Sequence, residues 1–337
     1  MSKSQVILSG FSDEAAINKT ATQQFAAFAA LGMRYFSLRF IDVGNGVKNV
    51  MQLTEGEIEG VRRLQAEYDL KVATIGSPIG KVKLKDVDDG THNRYVPFDK
   101  YLADEVERAC QLALEFDTKL LRGFSFYNPK GSKPEEHLEQ VADQLGQIAH
   151  VCDRHGLTFG LEVEANLVGR TGELLAEIHR RVNHPALVTI FDGANIVTQG
   201  FSGEQVFSQY LAMKPSLGWL HIKDYKNPTQ LIRTDHVDEA ALKHFVPADR
   251  GECGHEMILR DLRSELPKIT ARMAKRGVSG VILDLEPHVK GGGQFGGFSG
   301  PDGFGIALRG LCRVLDYVNI GYDLRGFDDV KRSIGVV

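Results

Sequence analysis

Short apolar runs of strand length alternate along the chain with longer stretches whose apolar residues recur at helical spacing. The strand-type runs cover residues 6–10, 35–39, 71–75, 120–123, 158–163, 187–192, 218–222 and 280–285. Helical periodicity follows them over 13–31, 55–68, 98–116, 134–155, 172–182, 203–213, 259–275 and 301–318. Ser12-Asp13, Thr54 and Thr171 stand where a side chain caps a helix start, and Gly32 and Gly277 where a helix ends in a left-handed turn. An unbroken series of eight β-then-α units predicts an α/β fold of one architecture, a closed (β/α)8 TIM barrel. An open sheet split into two domains does not fit that series.

No linker-like stretch interrupts the series, so residues 1–337 are read as one barrel domain with long βα loops after strands three, seven and eight. These loops are 76–97, 225–256 and the glycine-rich 290–304, all on the side where barrel active sites are built. The glycines of the third loop suit either a flexible lid or a close backbone approach to substrate.

Composition narrows the partners. With 42% hydrophobic and 25% charged residues in 337, the chain can bury a full core, which excludes disorder and a disulfide scaffold. Forty Lys and Arg against 44 Asp and Glu give a net charge of −4, with no basic surplus for a phosphate backbone, so nucleic acid is not an expected partner. Cys110, Cys152, Cys253 and Cys312 show no paired metal or redox spacing and read as buried free thiols of a reducing compartment. The start of the chain lacks a signal-peptide core and no apolar run is long enough to span a bilayer. A cytoplasmic protein is expected, without a membrane partner, and a homo-oligomer is compatible with the sequence.

In a barrel the C-terminal strand ends converge on one mouth, so the polar residues there carry the most information. Glu162 closes Phe159-Gly-Leu-Glu162, and Asp192 closes Thr189-Ile-Phe-Asp192. His221 lies in Trp219-Leu-His221-Ile-Lys-Asp224, and Glu286 closes Ile282-Leu-Asp-Leu-Glu286. A lone acid at a strand end is usually solvated, but four such residues on consecutive strands would repel strongly in one cavity unless a cation neutralised them. Three oxygen donors and one nitrogen suit one divalent metal ion, Mn2+ first, with Mg2+, Co2+ and Zn2+ also fitting. Glu164 shares the facing parity of Glu162, so alternation leaves both open; proximity to the apolar strand favours Glu162. Lys81, Arg122, Asn195, Lys223 and His288 lie at or just past strand ends and are candidates to hold substrate. Arg250 and Glu252 are weaker ones, and His92, His236 and His255 read as solvated loop residues.

Gly160-Leu-Glu162, Phe191-Asp192-Gly-Ala-Asn195, His221-Ile-Lys-Asp224, Pro247-Ala-Asp-Arg-Gly-Glu252 and Leu285-Glu286-Pro-His288 occur in this order. With these stretches the chain resembles the xylose isomerase-like barrels of sugar phosphate isomerases and epimerases, a superfamily that includes the family 2 abasic-site endonucleases. The resemblance implies that Glu162, Asp192, His221 and Glu286 bind one divalent metal, that Glu162 and Glu286 flank a sugar as proton-transfer groups, and that Asn195 touches substrate. A metal chelating a carbonyl and the neighbouring hydroxyl acidifies the carbon between them. Returning the proton to the opposite face epimerises, and returning it to the next carbon isomerises. The expected activity is therefore a metal-dependent isomerase or epimerase of a sugar, sugar phosphate or keto-sugar.

Three other readings compete. A lyase or hydrolase of 3-keto-glycosides would use the same residues, expelling a β-leaving group after the same proton abstraction. An abasic-site endonuclease needs an Asp-Arg-His where this chain has Asp249-Arg250-Gly251, and is the least favoured enzyme. A non-catalytic barrel would be expected to have lost one of the four metal positions, and none is lost.

Overall fold

The computed structural model describes residues 5–229, 232–290 and 299–333. The apolar runs form eight parallel strands: β1 (Val6–Gly10), β2 (Tyr35–Leu38), β3 (Lys71–Ile79), β4 (Leu120–Gly123), β5 (Thr158–Glu162), β6 (Leu187–Asp192), β7 (Leu217–Ile222) and β8 (Val281–Leu285). They pair in the order β1-β8-β7-β6-β5-β4-β3-β2, and a single parallel bridge from Phe11 to Ser37 joins the two ends into a nearly closed barrel. Every strand is almost wholly buried because helices cover the barrel outside and side chains fill its interior. Gly160 shows how tight that interior is: a Cβ there would sit 2.0 Å from the ring of Trp219, which is fully buried. No helix among the described residues is long and apolar enough to cross a membrane.

Thr54 and Thr171 cap their helices by accepting from the N–H groups of Glu57 and Leu174, and Gly32 and Gly277 take the left-handed conformation expected of them. The expected helix over 13–31 is broken. Ser12–Ala15 is one 3-10 turn, Lys19 has a left-handed φ of 54°, and the α-helix Ala21–Ala30 starts from Thr20, not from Ser12-Asp13. The cause is polar: Asp13 and Glu14 are fully buried against Arg39, which a continuous surface helix would not allow.

Loop boundaries shift too. β3 runs on through Gly76 and Ser77 to Ile79, which pairs with Gly123, so the loop after it is shorter than 76–97. The segment after β7 opens with an antiparallel pair, Asp224–Tyr225 with Phe245–Val246, and the next helix begins at His255 rather than Leu259. Residues 291–298 of the glycine-rich segment lie outside the described residues. A short C-terminal helix, Phe327–Ser333, had no counterpart in the periodicity reading.

Candidate active site

The residues singled out above stand at or next to the C-terminal ends of four barrel strands. Glu162, Asp192 and His221 lie on β5, β6 and β7, and Glu286 follows β8, its backbone N–H donating to Ile222 O at 3.1 Å. All four are buried, at 3% exposure or less, and one ligand-type atom from each lies within 4.8 Å of the others. Asp192 is positioned by its cap: its Oδ1 accepts from the N–H of Asn195 at the start of the short helix Gly193–Val197, and this leaves Oδ2 to face Lys223. Asn195 reaches back from that helix to donate from Nδ2 to Glu162 Oε1 at 3.2 Å.

Cations surround the acids. The Lys223 ammonium lies 3.1 Å from both Asp192 Oδ2 and Glu286 Oε2. Arg122 spans the two glutamates, 3.5 Å from Glu162 Oε2 and 3.7 Å from Glu286 Oε1, and is held by Gly76 O. Arg39 grips Glu286, Asp13 and Glu14 at once. The guanidinium groups of Arg39 and Arg122 lie 4.5 and 4.8 Å from the ring centroid of Phe11, whose face carries both.

These neighbours set the protonation of the site. Burial works against charge on Glu286, but Lys223, Arg39 and the two histidines outweigh it and hold the carboxyl well below its usual range. Glu162 is lowered in the same way, by His221 and Arg122 against burial. Asp192 goes the other way: burial, with Glu162 and Glu286 adding to it and Lys223 opposing, pushes it up to about 6. Burial disfavours imidazolium at His221, yet Glu162, Glu286 and Asp284 prevail and raise it.

Three carboxylates and an imidazole this close fit a hard-to-borderline divalent cation. Glu162 Oε2 and both ring nitrogens of His221 are buried without a hydrogen-bond partner, although His221 Nδ1 lies 3.2 Å from Glu162 Oε1. Glu164 is not part of this group. It lies past the end of β5, 2.8 Å from the Lys81 ammonium, so Lys81 joins a rim beside the quartet, where Glu239 also adds its charge. His288 sits within the site wall, fully buried, with Nδ1 2.7 Å from Glu14 and Nε2 4.0 Å from Glu286.

Sequence reasoning passed over Asp13, Glu14, Arg39 and Asp284. The same criterion would have found the first three, since Asp13 and Glu14 follow β1 and Arg39 follows β2. Reading 13–31 as helix hid the acids. Asp284 has the inward parity of Glu286, accepts from Ser37 Oγ at 2.6 Å and lies 3.8 Å from His221 Nε2, deeper in the barrel. His92 and His236 are exposed as expected, but His255 is buried, because it packs under the segment after β7 and contacts Lys223 O. Arg250 is exposed, and Glu252 accepts from Asn227 within its own loop.

Solved structures place this geometry in context. The fold is similar to a xylose isomerase-like TIM barrel protein from Mycobacterium smegmatis in complex with magnesium: 15% identity, 94% of this chain and 98% of that one, TM-score 0.62. It is similar to the probable 3-DHS dehydratase AsbF of Bacillus anthracis, at 17% identity, 91% and 98% coverage and TM-score 0.62. A D-tagatose 3-epimerase-like protein matches at 17% identity, 93% and 98% coverage and TM-score 0.59. A comparison with curated protein sequences finds no match. The family model described as "Xylose isomerase-like TIM barrel" matches residues 25–293, and the chain belongs to that family.

Proposed function

We propose that the protein is a divalent-metal-dependent isomerase or epimerase of a sugar or keto-sugar. The reading is carried by one observation: Glu162 and Glu286 reach the mouth from β5 and β8, with Asp192 and His221 on the two strands between them, and all four offer donor atoms within 4.8 Å. Glu162, Asp192, His221 and Glu286 would hold the metal, which would polarise a carbonyl and the neighbouring hydroxyl. The donor set favours Mn2+, and the magnesium complex of one structural neighbour supports a hard ion.

The chain's own groups do the rest. Lys223, Arg39 and the two histidines keep Glu286 ionised, and His221 with Arg122 does the same for Glu162, so either carboxylate is able to accept a proton from carbon. Asn195 donates to Oε1 of Glu162 and fixes its direction. One glutamate removes the proton; the other, after taking up a proton from solvent, gives it to the opposite face, whereas return of the first glutamate's own proton to the adjacent carbon isomerises. Lys223 and Arg122 lie where negative charge develops on the substrate oxygens. Burial of all these groups excludes bulk water, which would otherwise reprotonate without regard to face.

A second reading is favoured by the AsbF likeness and by the His288–Glu14 pair beside Glu286. In a lyase acting next to a ketone, such as one on 3-keto-glycosides, that pair would give a proton to the departing group. Incubating free, phosphorylated and 3-keto sugars with the Mn2+-loaded protein in deuterated water distinguishes the two. Deuterium uptake with an epimer or aldose–ketose product is expected. Loss of a substituent would favour the lyase, and no uptake from any of them would overturn both.

A further inference from the structure

A second group of ligand-type side chains lies where none of this chemistry uses it. Asp224 follows Lys223 beyond β7, Cys253 ends the long segment that returns from the antiparallel pair, and His255 opens the helix His255–Ala274. Their exposures are 1%, 0% and 2%, and one ligand-type atom from each lies within 4.8 Å of the others. Asp224 Oδ1 accepts from the backbone N–H groups of Tyr225 at 2.8 Å and Cys253 at 3.0 Å. That pins the carboxylate and leaves the buried Oδ2 without a hydrogen-bond partner, as is His255 Nδ1. Cys253 Sγ and His255 Nε2 converge on Lys223 O at 3.6 and 3.0 Å, and His255 Nε2 is 3.9 Å from Asp224 Oδ2.

The backbone is shaped around the carboxylate. A Cβ at position 251 would fall 2.0 Å from Asp224 Oδ1, so only glycine lets the chain pass there. On the outer side a cavity of about 360 Å³ is lined by Asp224, Gly251 and His255 together with Arg313 and Tyr317. Buried polar atoms without partners are costly, and here two of them belong to neighbouring side chains of ligand type beside a buried thiol.

We propose that Asp224, Cys253 and His255 form a second metal site, distinct from the quartet, that takes one thiophilic divalent cation such as Zn2+. A thiolate, an imidazole and a carboxylate are the borderline-soft donor set of zinc, unlike the oxygen-rich set of Glu162, Asp192, His221 and Glu286. On binding, the Cys253 thiol gives its proton to solvent as the sulfur–metal bond forms, imidazole and carboxylate donate lone pairs, and nothing is oxidised or reduced. The outer cavity leaves room for a water ligand. The ion closes the long loop between Asp224 and Cys253, and so fixes the backbone next to Lys223.

Co2+ is the probe, because a thiolate bound to it gives a near-ultraviolet charge-transfer band that oxygen and nitrogen ligands do not. Titrating the full-length protein is expected to show two equivalents bound per chain and this band growing with one of them. Cys253→Ser should lose the band and one equivalent, whereas Asp192→Ala should keep the band and lose the other equivalent. Wild-type protein that binds Co2+ without the band overturns the proposal with no variant needed. A band that survives in Cys253→Ser also overturns it, since another cysteine would then be the ligand.

Discussion

Lys223 Nζ lies 3.1 Å from Oδ2 of Asp192 and equally close to Oε2 of Glu286, so one ammonium serves two of the three ligand-type carboxylates. The two respond differently. Glu286 has Arg39 and His288 as well and stays ionised, whereas Asp192 has only Lys223 and His221 against burial and two glutamates, and is pushed up to about 6. The quartet is thereby an arrangement of acids held together by fixed cations, whose own charges cannot all be satisfied by one another.

The first prediction is that Asp192→Ala abolishes tight Mn2+ binding. Removing one of four donors also removes a Lys223 partner and the cap of Gly193–Val197. Elemental analysis after dialysis checks it, and full occupancy in the variant would dismiss the quartet as the site.

Second, Glu162→Gln and Glu286→Gln keep shape and lose proton transfer, at a cost of roughly 10²- to 10⁴-fold in rate at matched metal occupancy. A two-base epimerase keeps solvent exchange of one epimer in one variant and of the other epimer in the other. Normal exchange of both epimers in both variants would show that neither glutamate is the base.

Third, Arg39→Met leaves Asp13, Glu14 and Glu286 without a shared buried guanidinium, and is expected to destabilise the fold by about 3–5 kcal/mol, the range for breaking a buried ion pair. Denaturant unfolding measures this. A loss of no more than about 1 kcal/mol, the size of an exposed pair, would mean that Arg39 holds nothing in place.

Fourth, Gly160→Ala puts a methyl group 2.0 Å from the buried Trp219 ring and is expected to cost about 1–3 kcal/mol through overpacking. A midpoint equal to wild type in urea unfolding would contradict the tight barrel interior.

Fifth, docking of the segment after β7 should weaken as pH rises. Burial, then Glu164, pushes Glu239 up to about 7 from its usual 4.5, and Asn166 fastens the same segment through Val237 at 2.9 Å in both directions. The docked state therefore holds a proton that the undocked state has lost between these values, so docking is favoured at the acidic end and loses that support as pH passes 7. Glu239→Gln should flatten the dependence. Hydrogen exchange over residues 237–242, compared between wild type and variant at each pH, tests it, and parallel profiles would refute it.

The eight apolar runs were legible because each barrel strand is buried on both faces, and an uninterrupted Val, Ile, Leu and Phe pattern survives any register. Strand ends were legible for the same reason: a polar residue closing an apolar run, as at Glu162, Asp192 and Glu286, or one residue short of its end, as at His221, marks the point where the barrel opens. Only the tertiary structure could separate Glu162 from Glu164, since both have one parity; Lys81, arriving after β3, takes the second acid to the rim. It alone brought Arg39 against Glu286, across more than 240 residues, and gathered Asp13 and Glu14 on the same guanidinium, because β1 pairs with β8 and a bridge joins β2 to the end of β1. It also moved His255 from an expected solvated loop position to the buried side of Asp224, beside the thiol of Cys253, whose burial the sequence predicts. Local sequence dictates which residues are apolar and where a strand must stop, whereas the charges that face one another are chosen by strand order and loop return, which no short window of sequence contains.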